Sequence, residues 1–119
     1  MTTIIIVDND EEVRVATENL VRSFGMTAHG FSSAEEFLRS KELEQAVCLV
    51  TDVQMPGMGG IGLQNALNKR GRNLPTIFIT AYPEERLRGQ AEAGGALCFL
   101  SKPFEAAALM ECIDRALSR

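Results

Sequence analysis

Residues 49–61 read Leu-Val-Thr-Asp-Val-Gln-Met-Pro-Gly-Met-Gly-Gly-Ile. An apolar run climbs to one carboxylate, Asp52, and breaks at once into a loop marked by Pro56, Gly57, Gly59 and Gly60. A short apolar run bounded by turn residues reads as a strand covered on both faces, with Asp52 at its carboxyl end. A carboxylate is a poor neighbour for an apolar core. At that position it is either solvated or one member of a charged cluster.

The same pattern recurs on either side. Thr3 to Val7 is a continuous β-branched run, as expected of a central parallel strand, and Asp8, Asn9 and Asp10 follow it directly. Asn9 or Asp10 caps the next helix, whose apolar positions Val13, Ala16, Leu20 and Phe24 keep helical spacing until Gly25. A short second strand fits Thr27 to Gly30. Ser32 or Ser33 then caps a helix that turns Phe37, Leu38 and Leu43 inward, with Glu35 or Glu36 placed for a capping box. The third strand, Val47 to Thr51, delivers Asp52, and a third helix starts near Gly60 with Leu63, Ala66 and Leu67 facing the core.

Beyond it, Thr76 to Ile79 forms a fourth strand that ends in Thr80, Ala81 and Tyr82. The helix after Pro83 is weak, since it holds Gly89 and offers only Leu87 and Ala91 as clear core positions before Gly94 and Gly95. It is the element expected to move most. Ala96 to Leu100 is the fifth strand, followed by Ser101, Lys102, Pro103 and Phe104. The last helix carries one stripe of Ala106, Leu109, Met110, Ile113, Ala116 and Leu117.

Strands alternating with helices define an α/β chain with right-handed crossovers and a parallel sheet. The expected fold is flavodoxin-like, a (βα)5 doubly wound sheet of strand order 2-1-3-4-5, in one domain over residues 1–119. In that order the first and third strands are neighbours, and the crevice at their carboxyl ends is the switch point where ligands bind. Asp8 and Asp52 flank it, while Thr80 and Lys102 end the fourth and fifth strands on the same edge.

Composition bounds the reading. A chain of 119 residues builds a core without staples. Cys48, Cys98 and Cys112 lie in apolar surroundings without metal-ligand or Cys-x-x-Cys spacing, and are expected as buried free thiols in a reducing compartment. His29 stands alone and reads as a strand or surface residue. Twelve basic against sixteen acidic residues give a net charge of −4, and no basic block is present, which argues against direct nucleic-acid binding. There is no basic region before the first apolar run and no membrane-length segment, so the expectation is a cytoplasmic location and no membrane partner.

Two carboxylates and an amide around one crevice call for a cation, and an open, oxygen-lined site suits Mg²⁺ bound through carboxylates and phosphate oxygens. Lys102 adds a mobile positive charge and Thr80 a hydroxyl. These are the parts of a phosphoryl-transfer site. No Walker loop and no Ser-His-Asp set accompany them, so Asp52 is cast as the nucleophile that becomes an acyl phosphate. Singly, each residue has a plain structural role as cap, strand end or solvated charge. Jointly, chance does not place an acid, an acid, a hydroxyl and a lysine at four such strand ends. Gly57-Met-Gly59-Gly60-Ile-Gly62 matches a Gly-x-Gly-x-x-Gly pattern, but it follows the third strand, and Asp52 would repel a pyrophosphate there.

Val-Asp-Asn-Asp at residues 7–10, Asp-Val-Gln-Met-Pro-Gly-Met at 52–58, Thr-Ala-Tyr at 80–82 and Leu-Ser-Lys-Pro-Phe at 100–104 together resemble a response-regulator receiver domain, most similar to receivers of the FixJ type in two-component signalling. The resemblance covers essentially the whole chain. It implies that Asp52 is the phosphoacceptor and that Asp8, Asn9, Asp52 and the backbone carbonyl of Gln54 hold Mg²⁺. It implies that Thr80, Ala81 and Lys102 bind the phosphoryl group, that Phe99 is the switch aromatic, and that the bond before Pro103 is cis. The implied partners are a sensor histidine kinase and either an effector or a homodimer formed through the fourth helix, fifth strand and fifth helix. The receiver is expected to be no enzyme beyond promoting its own phosphorylation and dephosphorylation, with transcription as the output.

Two positions depart from the pattern. Asn9 stands where the family has a second acid, and one charge at about 4 Å and an effective dielectric of about 20 is worth a few kcal/mol before offsets. Weaker Mg²⁺ binding is expected. Gly59 stands where a polar helix cap is usual, and a looser loop is expected. The rival reading is a phosphorylation-independent pseudo-receiver, an interaction module whose Mg²⁺ site has decayed.

Overall fold

The computed structural model describes residues 3–118. Five parallel strands lie in the order β2-β1-β3-β4-β5: β1 Thr3–Val7, β2 Thr27–Phe31, β3 Ala46–Asp52, β4 Thr76–Thr80 and β5 Cys98–Ser101. The connecting helices are α1 Glu11–Ser23, α2 Ala34–Arg39, α3 Gly60–Lys69 and α4 Glu85–Ala93, and α5 Ala106–Leu117 ends the order. The expected flavodoxin-like topology is the one observed.

Alternation along the central strands divides the core between two helical layers. Ile4, Ile6, Cys48, Val50, Ile77 and Ile79 pack with Val21 of α1 and with Leu109 and Ile113 of α5. Ile5, Val7 and Leu49 point the other way, onto Phe37 of α2 and Leu63 and Leu67 of α3. A smaller cluster of Val53, Phe78, Leu87 and Ala91 seats α4. Each fully buried Ile, Leu or Phe contributes roughly 1.5–3 kcal/mol relative to exposure, so the central strands β1, β3 and β4 are the best-anchored elements.

Several local expectations are corrected. Of the two candidate caps for α1, Asp10 is the one used, accepting the N–H groups of Glu12 and Val13. On α1 and at its C-cap, Val13, Leu20 and Phe24 pack against the core as expected, but the buried positions are Thr17 and Val21, and Ala16 is exposed. Thr17 tolerates burial because its hydroxyl donates to the Val13 carbonyl at 2.7 Å. Helix α2 stops at Arg39, since the Ser40 N–H and hydroxyl both turn back to the Phe37 carbonyl, and Leu43 lies on a separate 3-10 turn, Lys41–Glu44. β5 starts at Cys98, because the Ala96 N–H closes the end of α4 on the Ala91 carbonyl. On α5, Met110 and Leu117 are exposed and Cys112 takes an inward place.

The cysteine reading is corrected too. β5 and α5 bring Cys98 and Cys112 to a Cα separation of 6.3 Å, and the two are joined as a disulfide. Cys48 alone is a buried free thiol, and burial pushes it up to about 12. His29 lies on β2, exposed. No helix among the described residues is long and apolar enough to cross a membrane.

Candidate functional site

Strand register brings the site residues to one edge. Val7 pairs with Thr51, Asp52 with Ile79 and Thr80 with Ser101, so Asp8, Asp52, Thr80 and Lys102 all leave the sheet at its carboxyl side. Asp8 is completely buried and Asp52 is 8% exposed. Lys102 Nζ donates to Asp8 Oδ2 and to Asp52 Oδ2, both at 3.0 Å. The remaining oxygen of each carboxylate accepts a backbone N–H from two residues on. Asp10 donates to Asp8 Oδ1 at 2.9 Å, and Gln54 donates to Asp52 Oδ1 at 3.2 Å.

The electrostatics follow from burial. Loss of water pushes the Asp8 carboxyl above its ordinary value, against the pull of the Asp10 N–H and Lys102. Burial alone would lower Lys102, yet its hydrogen bonds to Asp8 and Asp52 outweigh that and hold the ammonium above its ordinary value. The two shifts differ in origin: burial raises Asp8, with the Asp52 charge a minor addition, whereas the two carboxylates raise Lys102.

Thr80 is fully buried, and its hydroxyl accepts the Tyr82 N–H at 3.1 Å. Its carbonyl accepts the Lys102 N–H at 2.7 Å, which ties the ends of β4 and β5. Ala81 and Asn9 are exposed, as is Gln54. Phe99 is half-buried, with its ring centroid 6.3 Å from that of Phe78 and 5.1 Å beneath the Arg88 guanidinium. The Lys102–Pro103 bond is cis.

Sequence reasoning missed three supports. Arg14 on α1 donates from Nη1 to the Asp8 carbonyl at 3.0 Å, fixing the backbone that carries the acid. Glu35 on α2 accepts the Met58 N–H at 3.0 Å, and that bond is the main reason its carboxyl lies below its ordinary value. The third concerns Gly59 and Gly60. Position 59 supplies no side-chain cap to α3, as expected, and its missing side chain has a steric role as well. A Cβ at Gly59 would lie 2.8 Å from the Val53 carbonyl oxygen, and one at Gly60 would collide with the Asp52 carbonyl and stand 3.1 Å from Phe78 Cε1. These glycines let α3 begin against the end of β3, and the Gly60 N–H bonds to the Val53 carbonyl at 3.0 Å. Capping at α2 was legible in part: Ser33 accepts the Glu36 N–H, and Glu36 accepts the Ser32 N–H and hydroxyl.

The donor set is oxygen only: two carboxylates around a single ammonium, with an amide and a backbone carbonyl next in sequence. That chemistry fits a hard divalent cation of the Mg²⁺ type, which needs few protein ligands and keeps waters. Among the described residues no group of three or more His, Cys, Asp or Glu could hold a metal by itself.

Fold and crevice together define a flavodoxin-like domain with a lysine-bridged acid pair at its switch point. The sequence pattern of the response regulator receiver domain matches residues 4–114, and the chain belongs to that family. It is 36% identical over 116 residues to Nodulation protein W of Bradyrhizobium diazoefficiens, covering 98% of this chain and 51% of that protein. It is 35% identical over 114 residues to Transcriptional regulatory protein FixJ of Azorhizobium caulinodans, covering 96% of this chain and 54% of that protein. The crystal structure of FixJ-N superposes with a TM-score of 0.89 at 33% identity, covering all of this chain and 95% of that one. The chain thus spans about half the length of the curated relatives it matches.

Proposed function

We propose that this receiver accepts a phosphoryl group on Asp52 from the phosphohistidine of a sensor kinase. The observation that carries the reading is the Lys102 bridge, 3.0 Å to each of two buried carboxylates at the switch point. A nucleophile, a mobile cation and a hydroxyl within one crevice are what in-line phosphoryl transfer asks of a protein. Asp52 attacks phosphorus through a carboxylate oxygen, an O–P bond forms as the P–N bond to the histidine breaks, and the imidazole leaves. Lys102 then exchanges its Asp52 contact for a phosphoryl oxygen, and the Thr80 hydroxyl turns from the Tyr82 N–H to donate to another. Asp8, Asn9, Asp52 and the Gln54 carbonyl would hold Mg²⁺. When bound, that ion neutralises charge on the phosphoryl oxygens.

Movement of Thr80 is passed to Phe99 and to the face made by α4, β5 and α5, which then dimerises or contacts an effector. Control of transcription in the cytoplasm is the output we assign, with support from the relative named a transcriptional regulatory protein.

Incubation of the chain with acetyl phosphate and Mg²⁺, read by intact mass, tests the reading. A gain of one phosphoryl group that is lost in Asp52→Asn supports it. One observation favours a second reading, a phosphorylation-independent interaction module: Asn9 is exposed and carries no charge where an acid would serve Mg²⁺. No phosphoryl gain under any Mg²⁺ concentration would establish that module instead. On the first reading Asn9→Asp tightens Mg²⁺ binding several-fold by calorimetry, and an unchanged or weaker affinity contradicts the role given to position 9.

A further inference from the structure

The phosphoryl crevice uses none of the three cysteines, and two of them meet on the opposite flank of β5 from α4. Cys98 is the first residue of β5 and Cys112 lies on the second turn of α5, 14 residues on in sequence. They differ in access. Cys98 is half-buried in an open groove of about 290 Å³ between β5 and α5, walled by Phe99, Ala108, Glu111 and Arg115. Cys112 is 6% exposed.

They differ in charge environment as well. Arg115 Nη1 stands 3.6 Å from Cys98 Sγ, so a guanidinium faces the sulfur that solvent reaches. A cation at that place favours the thiolate, which is the attacking form. Cys48 supplies the contrast inside the same chain, being fully buried among apolar side chains of the core.

We propose that Cys98 and Cys112 are a reversible dithiol–disulfide switch, oxidised by hydroperoxides, with Cys98 as the attacking sulfur, and that its closure pins β5 to α5. The Cys98 thiolate attacks the peroxide, an S–O bond forms and the O–O bond breaks, and the departing alkoxide or hydroxide takes a proton. Cys98 is then a sulfenic acid. The Cys112 sulfur attacks it, the S–S bond forms, the S–O bond breaks, and water leaves. Two thiols lose two electrons and two protons, and ROOH becomes ROH and water. A dithiol reductant reverses the link by exchange. The proposed function places the chain in a reducing cytoplasm, where the reduced pair would be the resting form and the disulfide seen here the oxidised one. The link matters mechanically because β5 pairs with β4 alone and is only half-buried.

The experiment uses the full chain, reduced, desalted and exposed to equimolar hydrogen peroxide. The expected result is loss of two hydrogens by intact mass, a peptide linking residues 98 and 112, an increase in Tm on the order of 10 °C, and full reversal by dithiothreitol. Cys48 stays free throughout and reacts with alkylating agents only after unfolding. In Cys112→Ser, dimedone traps a sulfenic acid on Cys98, whereas Cys98→Ser yields none on Cys112 and remains a folded control. Arg115→Gln slows linkage several-fold at unchanged Tm of the reduced chain. The switch is overturned if peroxide leaves both thiols intact, adds oxygen without a link, or joins either sulfur to Cys48 or to a second chain. A sulfenic acid on Cys112, or linkage in Arg115→Gln as fast as in the parent chain, overturns the attacking role of Cys98. None of these readouts depends on phosphorylation of Asp52.

Discussion

On the β1 and β3 side of the crevice, both oxygens of Asp8 and of Asp52 have donors, and Gly59 and Gly60 leave no room for a methyl group. On the β4 and β5 side, Glu84 precedes α4 without giving it a side-chain cap, β5 is four residues long, and a Cβ at Gly89 would meet nothing within 4 Å. The side-chain hydrogen bonds that α4 accepts gather toward its far end. Gln64 Nε2 donates to the Ala91 carbonyl at 3.1 Å, and Asn68 Nδ2 donates to the Gly94 carbonyl at 3.0 Å. The end of α4 that follows Thr80, Ala81 and Tyr82 is held by Leu87 packing and the Arg88–Phe99 contact and not by such bonds. Phosphoryl chemistry needs fixed geometry, and a switch needs an element from the low-stability end of the fold. On the proposed function, one small domain would divide the two requirements between the halves of its sheet edge.

Glycine substitutions break or sharpen that contrast most strongly. Gly60→Ala drives a methyl group into the Asp52 carbonyl and Phe78, and should cost about 2–3 kcal/mol in urea unfolding. A smaller effect is expected at Asp8. Its folded value is raised, so the stability it contributes is present below its ordinary value of 3.8 and is lost as pH rises through the folded value. Asp8→Asn should then stabilise the metal-free protein at neutral pH by on the order of 1 kcal/mol, while abolishing Mg²⁺ binding. The advantage should shrink as pH falls toward 4, which a Tm series across pH measures. The smallest effect has the opposite sign to the first: Gly89→Ala, in the open face of α4, should stabilise by about 0.5–1 kcal/mol. Equal effects at positions 60 and 89 would erase the distinction between the two halves.

The pocket acids, Thr80 and Lys102 were legible because strand ends in a doubly wound sheet fall on one edge, and one-dimensional spacing then becomes proximity. Contacts between helices were not legible. Arg14 to the Asp8 carbonyl, Glu35 to Met58 and Gln64 to Ala91 join positions whose residue types are ordinary for exposed helix faces, and nothing in their own periodicity marks a partner. The choice of Thr17 over Ala16 was hidden for a different reason. A hydroxyl that bonds its own helix is buried at little cost, so polarity misled the stripe. At Gly59 the residue type suggests only a weak cap, whereas its absent side chain matters for what the Val53 carbonyl would meet. The Cys98–Cys112 pair was lost because spacing alone does not say which faces of a strand and a helix touch.

Hydrogen exchange under phosphorylating conditions tests the central claim most directly. With Mg²⁺ and a phosphoryl group or a beryllium fluoride mimic on Asp52, amide exchange should change across residues 80–105, while the β1 and β3 amides keep their protection. Exchange that stays unchanged across residues 80–105, or that shifts equally in β1 and β3, would contradict the division of labour between the two halves.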